Sequence, residues 1–445
     1  MISSAAWTRS HRRNESIIIL NERKHIAIVT MGVKLGDETR GYTRFRRIAQ
    51  ILATEGFEVD LITSSFQHWN KEQRVTSKAC YQGLPYRVVF IEEPGYKKNI
   101  DLARIRSHAK ASKNLRTLLE SNAERYDLIY AEIPPNDVAR VCAEFAAERN
   151  IPFIADINDL WPEAMHMVIK NRLVARVLLW PFARDARVVY KLLTGAVGTS
   201  NEYAAHPSTH REQPYPSETV YVGNDLAEFD AGVTAFKGKI NKPTSEFWVA
   251  YAGTLGESYD LATLVKAGAL LANDPVCRER QQRIRIKILG DGPDRTMLES
   301  LATSLDAPVD FLGYKDYLYM AAYLNASDIL INSLKKTAVQ SIVTKIGDYL
   351  ASGRPLINTG SSREFCEKVS MQGFGVNIEA EDPAALAEAI QELYSHDRIR
   401  MIMGEKARAI AEREFDQKQS YGKIVKLIDS LLENKKGTPC KTSDR

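Results

Sequence analysis

From Lys24 onward, short unbroken apolar runs alternate with longer stretches whose apolar residues recur every three or four positions. HIAIVTMG ends at Gly32, as expected of a parallel strand buried on both faces. A polar loop, VKLGDETRG, follows; TRFRRIAQILATEG then has helical spacing and stops at Gly56, and FEVDLITS is again strand-like. The alternation continues through YRVVFIEE, a helix near 101–122, YDLIYAEI, a helix near 136–149, IPFIADIN, a helix through 170–192 and TGAVGTS. It restarts at FWVAYAGTLG (247–256) and runs through RIKILGDGP, VDFLGY, ASDILINS, RPLINTG and GFGVNIEA. Between the two series, 206–245 is rich in turn formers and shows no helical periodicity, which predicts a hinge.

Strand alternating with helix predicts an α/β protein with two doubly wound parallel-sheet, Rossmann-like domains. The boundaries expected are a loose extension at 1–23, a first domain at 24–223, a linker at 224–244 and a second domain at 245–415. A last amphipathic helix at 416–434 and a solvated tail at 435–445 follow. Ligands of doubly wound folds bind outside the carboxyl ends of the strands, so two such sheets should face a shared cleft. That arrangement suits an enzyme joining two ligands, one held by each lobe.

The 445 residues, 44% hydrophobic and 26% charged, fit a chain of two or three folded domains and exclude a miniature module or wholesale disorder. No segment approaches the about eighteen apolar residues needed to span a bilayer. Cys80, Cys142, Cys277, Cys366 and Cys440 show neither metal-type nor disulfide-framework spacing, which favours a reducing compartment. Residues 1–223 carry 31 basic and 25 acidic side chains, a net +6; residues 224–445 carry 29 and 31, a net −2. Two segments concentrate the positive charge: 97–116 has seven Lys/Arg and one Asp, and 170–191 has six and one with Trp180 and Phe182 at its middle. Such interleaving suits an anionic membrane surface, a solvated helix face being the alternative for the first segment. Nucleic acid has no motif support. GxGxxG and GxxxxGK[ST] are absent, against a dinucleotide oxidoreductase or P-loop ATPase. His206 and His210 lie four apart, but Pro207 interrupts helical geometry and no third ligand is near in sequence, so no metal is expected.

LGDGPDRTMLESLA places Gly290 and Gly292 in a tight turn between a strand and a helix whose free amides would face an anion. The succession YAGTLGESYDL, LGDGPD, FLGY, ASDILIN, TKIGDYLASGRPLI resembles the donor-nucleotide domain of family-4 retaining glycosyltransferases, which have the GT-B fold. VGNDLAEF (222–229) is similar to their interlobe linker, and DLWPEA (159–164) resembles the DLWPE motif of the bacterial polysaccharide branch.

The resemblance implies transfer of a sugar from a nucleotide sugar, UDP-linked, to a lipid-linked saccharide acceptor in surface-polysaccharide biosynthesis. It also implies a peripheral location at the cytoplasmic face of the plasma membrane, with no cofactor. The family's two signature glutamates, which hold the donor sugar and the ribose, fall on Gln340 and Asp348. Where relatives carry cations in the loop after the second domain's first strand, this chain has GTLGESYD. Amides around Gly253, Thr254 and Gly256, helped by Lys345, are expected to receive the diphosphate, and Tyr314 to lie by the base or merely to pack. Asp159 is expected to orient the acceptor hydroxyl or to cap a helix, and Trp161 to stack on a sugar or lie in the core. The glycine loop with Gly36 and Arg40 matches the place where acceptor and donor phosphate meet. Two rivals stay open: a nucleotide-sugar epimerase of the same fold, and a non-catalytic partner subunit.

Overall fold

The computed structural model describes residues 23–436 apart from 37, 39–40, 99–100, 164–175, 276, 278–281 and 339–341. The first lobe is built on β1 (His25–Val29), β2 (Glu58–Ser64), a small antiparallel hairpin of β3 (Phe66–Gln67) and β4 (Glu72–Gln73), β5 (Arg87–Ile91), β6 (Leu128–Ile133), β7 (Phe153–Ile157), β8 (Gly195–Gly198) and β9 (Ser217–Thr219). Hairpin aside, these form one sheet in the order β5-β2-β1-β6-β7-β8-β9, every pairing parallel. The second lobe comprises β10 (Glu246–Ala252), β11 (Arg283–Leu289), β12 (Val309–Gly313), β13 (Ile329–Asn332), β14 (Leu356–Asn358) and β15 (Gly375–Asn377). Their order is β12-β11-β10-β13-β14-β15, again all parallel.

In both sheets the chain builds outward from its first strand and then returns to that strand's other side. The strand order therefore reverses between β1 and β6 and between β10 and β13, and at each switch point a crevice opens at the carboxyl edge. The unbroken apolar runs follow from burial on both faces. Ala27 and Val29 of β1 pack with the helices Leu102–Ser121 and Asn136–Glu148, whereas Ile26 and Ile28 pack with Arg44–Thr54. The terminal helix Gly422–Lys436 places Ile424, Leu427 and Ile428 in that second cluster, on the first lobe.

The expectation that 206–245 lacks helix needs correction. β9 joins the first sheet's edge, and Leu226–Phe236 is a helix whose start is capped by Asp225, which accepts from the Glu228 N–H at 3.1 Å. Gly232 is not a breaker there: a Cβ would stand 2.6 Å from the Leu318 carbonyl oxygen, so glycine admits the crossing with helix Tyr317–Ala326. The chain crosses between lobes twice, at Gly223–Asn224 and near Asp416. The crossings are laced together: Asn224 N–H donates to Phe415 O at 3.0 Å, and Gln417 N–H donates to Asn224 O at 2.9 Å.

Candidate functional site

The carboxyl edge of the first sheet forms most of a cavity of about 460 Å³. Met31 and Gly32 follow β1, Glu132 is the penultimate residue of β6 and Asp159 follows β7; Tyr259 and 342–344 close it from the second lobe. Glu132 sits at the β1/β6 switch point. Its Oε2 accepts from the Thr30 hydroxyl at 2.6 Å and the Met31 N–H at 3.1 Å. Burial nevertheless pushes its carboxyl up to about 7, because desolvation outweighs those two bonds.

Asp159 accepts from the Leu160 N–H at 2.9 Å and from the Trp161 indole at 3.2 Å, and burial raises its pKa. Trp161 therefore presents its ring to the cavity with its N–H already used, edge-on to Phe182 at 6.1 Å. Beyond it lies a basic-aromatic recess: the Arg104 guanidinium is 5.2 Å from the Trp161 ring and 5.4 Å from the Tyr96 ring. His68 bonds the Tyr96 hydroxyl at 2.5 Å, and burial pulls both His68 and His108 down to about 4, keeping them neutral.

The second lobe's switch point is built differently. Lys345 reaches across the end of β10, donating to the Tyr251 hydroxyl at 2.8 Å. Its ammonium lies 4.0 Å from the Tyr251 ring centroid and 3.8 Å from that of Tyr259. Burial drives its pKa well below the usual lysine value, and among the described residues no carboxylate pairs with it. Gly253 is required beside it, since a Cβ there would stand 2.5 Å from Nζ at a φ of +151°.

Asp348, one turn further along, is held from two sides. Its Oδ1 accepts from the Tyr317 hydroxyl at 2.8 Å and from the Asn224 amide at 2.9 Å, and burial raises its pKa to about 6. Asn224 belongs to the crossing segment, so Asp348 also latches the linker to the second lobe. The two-oxygen diol acceptor expected of Asp348 thus has one oxygen committed.

The phosphate cradle expected around Gly253, Thr254 and Gly256 is narrower than the sequence suggested. Gly253 N–H donates to Leu289 O at 2.9 Å and Leu255 N–H to Asp291 O at 3.0 Å, so those amides are spent on the neighbouring loop. Gly290 and Gly292 serve that packing: a Cβ on Gly290 would stand 1.8 Å from Gly253 O, and one on Gly292 2.1 Å from Leu255 O. Thr254, exposed, and Gly256, buried, remain. Tyr314 is 71% exposed, which corrects the packing alternative. Gly36 does not line the cavity; at a φ of +49°, with its Cβ position 2.6 Å from Cys80 Sγ, glycine lets that loop close on Cys80. Gln340 and Arg40 lie outside the described residues.

Glu132 was missed although its signal was present: a lone carboxylate inside the apolar run LIYAEI has to find buried partners at a strand end. A second grouping was not visible in local spacing. Beside His206 and His210 stands Glu163 of the DLWPE string, the potential donor atoms of all three lying within 4.8 Å of one another. The turn His206–Thr209 is 3₁₀, continuing helix Asn201–Ala205, and it brings the two imidazole rings to 5.6 Å of one another.

Residues 246–396 match the family model described as glycosyl transferases group 1. Solved structures of the same two-lobed form include the sucrose-phosphate synthase of Thermosynechococcus elongatus, with a TM-score of 0.69 at 17% identity over 93% of this chain and 100% of that one. HepE of Anabaena, solved with UDP, gives 0.65 at 16% over 92% and 100%. WaaG, a glycosyltransferase of lipopolysaccharide biosynthesis, gives 0.62 at 14% over 91% and 99%. No curated protein sequence matches the chain. The architecture is GT-B, and the second lobe is the part of the chain that matches the group 1 glycosyl transferase model.

Proposed function

We propose that this protein transfers a sugar, with retention, from a uridine-linked nucleotide sugar to a lipid-linked saccharide during surface-polysaccharide assembly. The observation that carries the reading is Lys345, a buried ammonium with hydrogen-bonding and ring contacts but no anionic partner, at the switch point of the lobe that matches glycosyl transferases group 1. A buried charge without a counterion is costly, and a donor diphosphate arriving beside Gly253 would supply one. The complex of HepE with UDP favours uridine as the base.

On this reading the two lobes divide the work. Lys345 and the Thr254–Gly256 loop take up the negative charge that grows on the leaving diphosphate. Asp159, desolvated and fixed by two N–H donors, orients the acceptor hydroxyl, and its raised proton affinity suits it to hold that hydroxyl's proton. The face of Trp161 supports the acceptor sugar. Val177, Leu178 and Trp180 are exposed at 75, 58 and 57%, next to exposed Arg176 and Arg184. An apolar patch ringed by cations suits an anionic bilayer carrying the acceptor. Phe182 is not part of it, since it turns inward to Trp161. No described helix is long and apolar enough to cross a membrane, so the attachment on this reading is peripheral.

Incubation of the protein with a panel of nucleotide sugars and a polyprenyl-diphosphate saccharide tests the proposal. Acceptor-dependent release of nucleoside diphosphate with a glycosylated lipid product is the expected result. Isomerisation of the free donor would transfer the assignment to an epimerase, and neither activity would leave the partner-subunit rival standing.

A further inference from the structure

The histidine pair set aside in the sequence becomes, in three dimensions, part of a site unrelated to the nucleotide. Glu163 comes from the turn after Trp161, and His206 and His210 come from the turn after helix Asn201–Ala205. Both segments border the cavity, through Asp159 and Trp161 on one side and Thr199 and Tyr203 on the other. We propose that Glu163, His206 and His210 form a three-ligand site for a divalent transition-metal ion, zinc by preference, which staples these two walls of the cavity together.

Two imidazoles and one carboxylate are a donor set that zinc accepts in tetrahedral geometry with a fourth position open. The imidazoles are already oriented. Tyr190, 1% exposed, stacks on the His210 ring at 5.3 Å and 18°, and meets the His206 ring edge-on at 5.4 Å and 75°. His206 Nε2 is buried and has no hydrogen-bond partner, and it points toward Glu163 Oε1 across 3.9 Å. That gap is too long for a hydrogen bond, so the nitrogen's lone pair or proton goes unsatisfied. The Tyr190 hydroxyl is a second buried atom with no partner in the same wall.

The distances fit a site that closes on its ion. Tetrahedral bonds of about 2.0–2.1 Å set ligand atoms about 3.4 Å apart, against separations here of up to 4.8 Å. Glu163, its side chain half exposed, is the ligand free to make that adjustment, while the imidazoles stay against Tyr190. An ion bound there would hold the DLWPE turn, and with it Asp159 and Trp161, against the segment after β8. Nothing in this assignment depends on the sugar-transfer reading.

The test is zinc titration of the full chain, stripped of metal with a chelator and dialysed, in competition with a chromogenic indicator. Wild type should take up one zinc per chain and melt at a higher temperature with it. Glu163→Gln should weaken uptake on the order of tenfold, and His206→Ala and His210→Ala on the order of a hundredfold or more. Glu163→Gln is the decisive variant because its exposed side chain leaves the core untouched. Cobalt substituted for zinc should give visible ligand-field bands in wild type that His210→Ala lacks. No stoichiometric zinc in wild type would overturn the site. So would zinc held equally tightly by all three variants, since the ion would then sit elsewhere, for instance on thiols.

Discussion

The two lobes share one strand order and the same kind of crevice, yet they fill it with opposite chemistry. At the β1/β6 switch point the buried group is a carboxylate, Glu132, backed by Asp159 and neutral histidines. At the β10/β13 switch point it is an ammonium, Lys345, between two tyrosine rings. Burial pushes each group toward its neutral form, raising the proton affinity of Glu132 and lowering that of Lys345. A fold that places two crevices face to face leaves the chemistry to the few residues at the strand ends, as is usual where many functions share one architecture. A cationic crevice opposite a carboxylate-lined one can hold an anionic leaving group and a hydroxyl nucleophile at the same time.

The largest effect expected is at the cation. Lys345→Ala should weaken binding of UDP about ten- to a hundredfold, the worth of one charge-assisted contact, while removing an uncompensated buried charge from the fold. Calorimetric titration reads the affinity, and a thermal melt should show the variant no less stable than wild type. On the other side, Asp159→Asn should lower turnover at least about tenfold and leave nucleotide affinity nearly unchanged, because its contact matters in the transition state. If nucleotide affinity falls with it, the division between the lobes fails.

Glu132 sharpens the contrast through pH. Its folded-state pKa of about 7 lies above the ordinary 4.5, so between those values the folded protein holds a proton that the unfolded chain releases. Stability contributed by this group therefore falls as pH rises through that window, and the full cost is present above pH 7. Glu132→Gln should gain about 1–3 kcal/mol over wild type at pH 8 and lose that advantage near pH 4. Chemical denaturation of both proteins at the two pH values measures it. The smallest effect lies outside the crevices. Replacing Val177, Leu178, Trp180 and Arg184 together should weaken co-sedimentation with phosphatidylglycerol vesicles at low salt, at about 1 kcal/mol for the cation, with no change on neutral vesicles.

Much of the architecture was legible because parallel strands buried on both faces read as unbroken apolar runs, as HIAIV and FWVAYA do. Helix Leu226–Phe236 was hidden by the glycine that lets it cross its neighbour, since Gly232 and a true turn glycine look alike until the partner backbone is seen. The site was legible only in part. Asp159, Trp161 and Lys345 follow recognisable strings and reach the crevices. Gly290 and Gly292 sit in the expected turn, but their lack of side chains is spent on packing against the loop after β10. Glu163 and His206 are neighbours in space only because β7 and β8 are adjacent in the sheet, a relation that local spacing does not carry.

The most direct measurement is the dissociation constant of UDP for wild type, Lys345→Ala and Asp159→Asn, determined side by side by calorimetry. The division of labour predicts that wild type binds, that Lys345→Ala binds at least about tenfold more weakly, and that Asp159→Asn matches wild type. Absence of UDP binding by wild type, or a loss in Asp159→Asn that equals or exceeds the loss in Lys345→Ala, would contradict it.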